Sequence, residues 1–212
     1  MANKTEWQET VGVFPIPVYV AKSNSDLTSK EEIEKVIQQG MKKNTSNSTS
    51  MNTYIFDENF KELKEFIEEH IKKYVEDVIH PREELDFYIT QSWLTLNKPG
   101  EHLHSHCHAN SIISGVFYVS IPENDKGGIT FIDPNFKIRE VIKFEQKGFT
   151  PWNSTSWYFP VNDNELILFP SWLHHRVDPN ENATTDRISI AFNAFVKGVM
   201  GETLELTELI LK

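Results

Sequence analysis

SIISGVFYVSI, residues 111–121, decides the fold class. It is short, built mainly of Ile, Val, Phe and Tyr, and reads as a strand. The same texture surrounds it. FYITQSWLTL (87–96), GITFI (128–132), IREVIKF (138–144), ELILFP (165–170) and RISIAFNAFV (187–196) are further runs of this kind, separated by Gly, Pro, Asn and Asp. Many short strands with turn signals between them predict an antiparallel sandwich or barrel between Phe87 and Phe195.

Upstream the periodicity changes. From about Asn59 to Ile79, residues Leu63, Phe66, Ile67, Ile71, Tyr74, Val75 and Val78 recur at three and four residues, with Lys and Glu on the other face. This predicts an amphipathic helix laid on a sheet and ended by Pro81. Ser25 to Gly40 reads as a shorter helix, capped by Asp26 or Thr28. GVFPIPVYV (12–20) reads as an extended edge segment, because Pro cannot donate to a ladder. NTSNSTSMNT (44–53) reads as a polar loop. The expected class is mostly β with packed helices (α+β). Residues 1–85 form a helical support region, 86–200 a β core and 201–212 a tail, within one domain.

The chain has 212 residues and a formal charge of −10, from 21 Lys plus Arg against 31 Asp plus Glu. That balance argues against a general grip on nucleic acid. The single cysteine, Cys107, excludes an internal disulfide framework and any four-Cys zinc site. No apolar run approaches the roughly 20 residues of a membrane helix, and MANKTEWQET has no secretory pattern, so a cytoplasmic location is expected. The Asn-x-Ser/Thr triplets at Asn47 and Asn182 are then chance matches.

Histidine is the anomaly. Four of the eight lie in His102-Leu-His-Ser-His-Cys-His108. Imidazole ligates Fe, Zn, Cu and Ni, and residues two apart on a strand share a face. His102, His104, His106 and His108 therefore have one parity, and at least two can reach one metal. Solvated loop histidines are the alternative, preferred for His102 and His104. Cys107 has the opposite parity and is expected to be a small buried residue. A second histidine pair, His174-His175, follows a buried strand and a Pro turn in LILFPSWLHHRV (166–177). Arg187 opens the strand Arg187-Ile188-Ser189-Ile190. Pointing outward it is a solvated charge; pointing inward it needs an anion.

Together these pieces resemble the iron(II)- and 2-oxoglutarate-dependent oxygenases, most closely a small bacterial and phage group with a prolyl-hydroxylase-like order. The resemblance covers residues 95–196. It rests on Pro99-Gly100, His106-x-His108, Ser114-Gly115-Val116-Phe117-Tyr118-Val119, Gly127-Gly128-Ile129-Thr130, Phe169-Pro170-Ser171-Trp172-Leu173-x-His175-x-Val177 and Arg187-Ile188-Ser189-Ile190-Ala191-Phe192-Asn193. It implies a double-stranded β-helix, or jelly roll, with Fe(II) at its open end. By the family pattern His106 is the first metal ligand and His175 the distal one, with His174 its rival. The family places Asp or Glu at position 108; here it is His. Three outcomes follow: a three-His site, a water in the carboxylate's place, or a metal site without turnover.

The resemblance also assigns 2-oxoglutarate. Arg187 suits its far carboxylate, because a guanidinium fork accepts a carboxylate in bidentate fashion, and Ser189 on the same strand face adds a hydroxyl. Trp93, Asn110, Tyr118 and Asn193 are further pocket candidates. The aromatics of PWNSTSWYFP (151–160) suit either a lid or packing on the barrel. The expected function is a 2-oxoglutarate- and Fe(II)-dependent dioxygenase acting on a small-molecule, protein or peptide substrate, as a monomer or homodimer. Its rivals are a three-His cupin-type dioxygenase without 2-oxoglutarate and a non-catalytic metal-binding jelly roll.

Overall fold

The structure is a computed structural model that describes residues 9–123, 128–136, 142, 144–179 and 181–212. Its elements in chain order are β1 (Tyr19–Lys22), α1 (Lys30–Gln38), β2 (Met41–Lys43), β3 (Ser48–Ser50), α2 (Lys61–Tyr74), β4 (Asp86–Asn97), β5 (Leu103–His106) and β6 (Ile113–Ser120). They continue with β7 (Ile129–Ile132), β8 (Ser156–Phe159), β9 (Glu165–Pro170), β10 (His175–Val177), β11 (Arg187–Met200) and β12 (Leu209–Leu211). The predicted strand at 138–144 falls almost wholly outside the described residues.

Among the described residues the strands form two antiparallel sheets. The larger has the order β1-β9-β6-β11-β4-β3-β2, with β12 paired to the end of β11. The smaller has the order β5-β10-β7-β8. This is the jelly-roll class anticipated from the strand pattern.

The two faces of the large sheet are distinguished by parity. Leu94, Phe117, Leu166, Leu168, Ile190 and Phe192 are buried in one cluster with Leu63, Ile67, Ile71 and Tyr74 of α2. A second cluster, Tyr118, Ile129, Phe131, Ile167, Phe169 and Leu173, joins the other face to the small sheet. Gly115 on β6 leaves room for two core side chains. A Cβ there would lie 2.3 Å from Phe192 and 2.7 Å from Leu168.

Helix ends explain several differences from the sequence reading. α1 is capped by Ser29, not Asp26 or Thr28, because Ser29-x-x-Glu32 forms a capping box. Glu32 does more. Its Oε1 accepts the backbone N–H of Phe60 at 2.6 Å, at the left-handed N-cap of α2 (φ 59°). One carboxylate thus ties together the starts of both helices. Burial alone would raise the Glu32 pKa, but three hydrogen bonds from Ser29 and Phe60 outweigh it and hold it below the ordinary value.

α2 passes into a π turn over Val75–Ile79, closed by His80 N–H to Val75 O at 2.7 Å. The wider turn rotates the helical stripe, so Val78 is exposed while Leu63, Ile67, Ile71 and Tyr74 are buried. Residues 44–53 are not simply a loop. β2 and β3 form a hairpin that extends the large sheet beyond β4, with Thr49 opposite Thr95. The segment at 12–20 contributes its end to β1, which pairs with β9 at the sheet edge. PWNSTSWYFP ends in β8 rather than in a free lid. No helix among the described residues is long and apolar enough to cross a membrane.

Candidate metal and co-substrate site

The two sheets enclose a cavity of about 390 Å³. One wall carries histidines. His106 on β5 is directly opposite His175 on β10 in the ladder register, and their ring centroids are 4.4 Å apart. His108 follows the end of β5. Its ring lies 5.1 Å from that of His106 and is stacked 5.2 Å from that of His175. One ligand atom from each of the three lies within 4.8 Å of the others.

Two of the three imidazoles are held by backbone carbonyls. The Nδ1 of His106 is 2.8 Å from the His104 carbonyl, and that of His175 is 3.0 Å from the Leu173 carbonyl. A carbonyl can only accept, so Nδ1 carries the hydrogen in both rings and Nε2 keeps a free lone pair. Phe169 meets the His175 ring edge-on at 4.7 Å. The backbone N–H of His108 donates to Ser171 O at 2.9 Å.

Ser171 is the hub behind this wall. It is fully buried, and its hydroxyl lies 2.7 Å from Ser111 Oγ and 2.8 Å from Ser114 Oγ. Ser114 in turn donates to Asn193 Oδ1 at 2.8 Å. This network fixes the turn after β9, and with it the backbone of His108.

Burial favours the neutral form of all three rings. It lowers the pKa of His106, and that of His108 to about 4, with help from the neighbouring His106. Burial and the same neighbour lower that of His175 to about 3. Metal-binding imidazoles must be unprotonated, and these are at neutral pH.

The opposite wall is polar in rungs across the large sheet. Trp93 pairs with Ala191, Thr95 with Ser189 and Asn97 with Arg187. Trp93 lies beside His108, with centroids 6.0 Å apart. Arg187 is four residues further along β11, about 13 Å of strand. It points inward and is only 5% exposed. Ser189 and Tyr118 also line the cavity and are paired across the ladder. Lys42 and Lys43 stand at the rim, and no Asp or Glu is among the described lining residues.

The structure therefore brings together His106, His108, His175, Arg187, Ser189, Trp93 and Tyr118. Other expectations differ. Asn110 is exposed, in a left-handed turn with φ 54°. Asn193 is buried but belongs to the serine network and does not line the cavity. His174 is exposed, and it is His175 that clusters with His106 and His108. The shared parity of the four clustered histidines ends with β5 at His106. His102 turns to Ser46 Oγ at 3.1 Å, His104 is exposed at the cavity wall, and Cys107 is exposed rather than buried.

The sequence reading missed a buried amide pair, Asn47 and Asn97, in the cavity wall. Asn47 Nδ2 donates to Asn97 Oδ1 at 3.4 Å, while Asn47 Oδ1 and Asn97 Nδ2 have no hydrogen-bond partner among the described residues. The even spacing of Trp93, Thr95 and Asn97 was the available signal for the second of them.

Residues 91–193 match the family model described as "Putative 2OG-Fe(II) oxygenase". No curated protein sequence matches the chain. Solved structures that share its fold include three informative ones. HygX from Streptomyces hygroscopicus with nickel, 2-oxoglutarate and hygromycin B bound is 11% identical, with a TM-score of 0.54 over 84% of this chain and 82% of that one. The viral collagen prolyl hydroxylase of Paramecium Bursaria Chlorella virus-1, in complex with 2OG, is 13% identical, with a TM-score of 0.52 over 84% and 94%. A Pseudomonas putida prolyl-4-hydroxylase is 12% identical, with a TM-score of 0.52 over 84% and 92%. Residues 91–193 are thus similar to the 2-oxoglutarate/Fe(II)-dependent oxygenases, and the jelly roll is a fold this chain shares with solved structures of that group.

Proposed function

We propose that the protein is a 2-oxoglutarate- and Fe(II)-dependent dioxygenase of hydroxylase type. His106, His108 and His175 hold the metal, and Arg187 with Ser189 holds the far carboxylate of 2-oxoglutarate. One observation carries this reading: three neutral imidazoles converge on one wall of a cavity whose other wall buries an inward-pointing arginine.

The donor set fits the group. Three imidazole nitrogens suit a divalent transition metal. Their neutrality leaves the metal's double charge to be offset by an anion. The dianion 2-oxoglutarate supplies it, beside a cavity lining that has no Asp or Glu among the described residues. Iron with 2-oxoglutarate supplies the oxidising power, by oxidative decarboxylation coupled to hydroxylation of a substrate.

The chain's own residues bind and orient. The backbone carbonyls of His104 and Leu173 aim two of the rings. Trp93 and Phe169 shield the histidine wall from water. Arg187 and Ser189 fix the co-substrate's distance from it. The substrate is a small molecule or a peptide, entering at the rim near Lys42 and His104; solved structures of this fold include one with hygromycin B bound and a collagen prolyl hydroxylase.

His108, at the carboxylate position, favours a second reading: a three-His dioxygenase that does not use 2-oxoglutarate. Succinate release alongside O2 consumption separates the two. Succinate formed in step with O2 supports the first; O2 consumption without 2-oxoglutarate supports the second.

A further inference from the structure

Asn97 stands directly across the β4–β11 ladder from Arg187, on the face that lines the cavity. Residues so paired have Cβ atoms about 4.5–5.5 Å apart. Asn97 is 6% exposed and its neighbour Asn47 is 1% exposed. Asn47 Nδ2 occupies the Asn97 carbonyl, which leaves the buried Nδ2 amino group of this cavity-lining residue with no acceptor among the described residues. A buried amide donor without an acceptor is costly, and a Thr or Val would serve a merely structural strand position better.

We infer that Asn97 is a co-substrate-positioning residue, whose Nδ2 donates to the same carboxylate that Arg187 holds. The inference rests on the 2-oxoglutarate reading above. A carboxylate offers about four lone-pair sites. The Arg187 fork fills two, and Ser189 and Asn97, next to Arg187 along and across the ladder, supply donors for the others. Asn47 acts through Asn97, by holding its carbonyl so that the amino group faces inward. No acid in the described lining competes for these donors.

Two substitutions separate this role from a structural one. Asn97→Ala removes both the donor and the contact to Asn47. Asn97→Asp keeps an acceptor for Asn47 Nδ2 but sets a negative charge beside the co-substrate carboxylate and competes for Arg187. A structural role ranks Asp above Ala; a carboxylate-binding role ranks it below. The experiment is anaerobic calorimetry of 2-oxoglutarate into the Fe(II)-loaded full chain, with Fe(II) affinity measured alongside.

Asn97→Ala is expected to weaken 2-oxoglutarate about tenfold, and Asn97→Asp about a hundredfold, both with Fe(II) affinity unchanged. Asp binding as tightly as wild type, or more tightly than Ala, overturns the inference. Should the Asp variant not fold, Ala decides alone, and a loss under twofold overturns it. Failure of the underlying reading shows elsewhere, as a wild-type protein that binds Fe(II) but not 2-oxoglutarate, and it removes the inference with it.

Discussion

His106 and His175 face each other across the β5–β10 ladder, with ring centroids 4.4 Å apart and each Nδ1 tied to the carbonyl two residues before it. Two residues 69 positions apart, by their numbers, present free Nε2 lone pairs to the same point. The register of a short antiparallel pair therefore brings two of the three clustered imidazoles together. His108, just past the end of β5, joins them from a turn pinned by Ser171.

Arg187→Ala is expected to weaken 2-oxoglutarate by about 30-fold or more, because truncating one partner of a buried charge pair costs about 2–5 kcal/mol. Arg187→Lys should recover only part of this, since an ammonium lacks the bidentate fork. Co-substrate affinity, by calorimetry on Fe(II)-loaded protein, is the readout. An unchanged affinity in both variants would remove Arg187 from the site.

Ser171→Ala strips the hydroxyl shared by Ser111 and Ser114 in a fully buried position. Stability should fall by about 1–3 kcal/mol. Fe(II) affinity should fall about tenfold through the loosened His108 turn, as for other groups that support ligands. Chemical denaturation and metal titration measure the two effects; a stability loss with unaltered metal binding would show that the network does not position His108.

Glu32 couples stability to acid. Its folded pKa lies below the unfolded value, so its contribution is full above the ordinary carboxylate range. It is lost as pH falls through the depressed folded value. Glu32→Gln should lower stability at neutral pH by about 1 kcal/mol and flatten the decline on acidification. Denaturant midpoints from pH 7 down to pH 3 test this, and parallel curves for the two proteins would contradict it.

Gly115→Ala should cost about 1–3 kcal/mol by overpacking, because the new methyl meets Phe192 and Leu168 within the core. Thermal unfolding reads it directly. A neutral result would mean that β6 can move away from α2 without loss.

Much of this was legible beforehand, for identifiable reasons. Strands such as 111–121 and 165–170 carry their β-branched, aliphatic and aromatic residues on both faces, since one face packs on α2 and the other on the small sheet. The composition alone reveals them. His106, His175, Arg187 and Ser189 were legible as strand residues in a known order.

The failures have a common cause: pairing partners distant in sequence. NTSNSTSMNT has no strand character of its own. It is drawn into a hairpin by β4, where Thr49 meets Thr95. Asn97, just before Lys98-Pro99-Gly100, has no neighbour in sequence that marks it; β11 sets Arg187 beside it. The buried Cys107 was expected on strand alternation, which stops where β5 stops at His106. Ser29 was a different miss. The spacing Ser29-x-x-Glu32 is itself a capping-box signature and stands in the sequence.

The central claim is that three histidines, with no carboxylate, hold an iron that accepts 2-oxoglutarate. The most direct measurement is visible absorption during anaerobic addition of Fe(II) and then 2-oxoglutarate to metal-free protein, for wild type, His106→Ala and His108→Ala. The account predicts a weak charge-transfer band for wild type only when both components are present, with no band and at least about 100-fold weaker Fe(II) binding for each variant. A wild-type protein that binds Fe(II) without forming the band, or a His108→Ala variant that keeps full Fe(II) affinity, would contradict it.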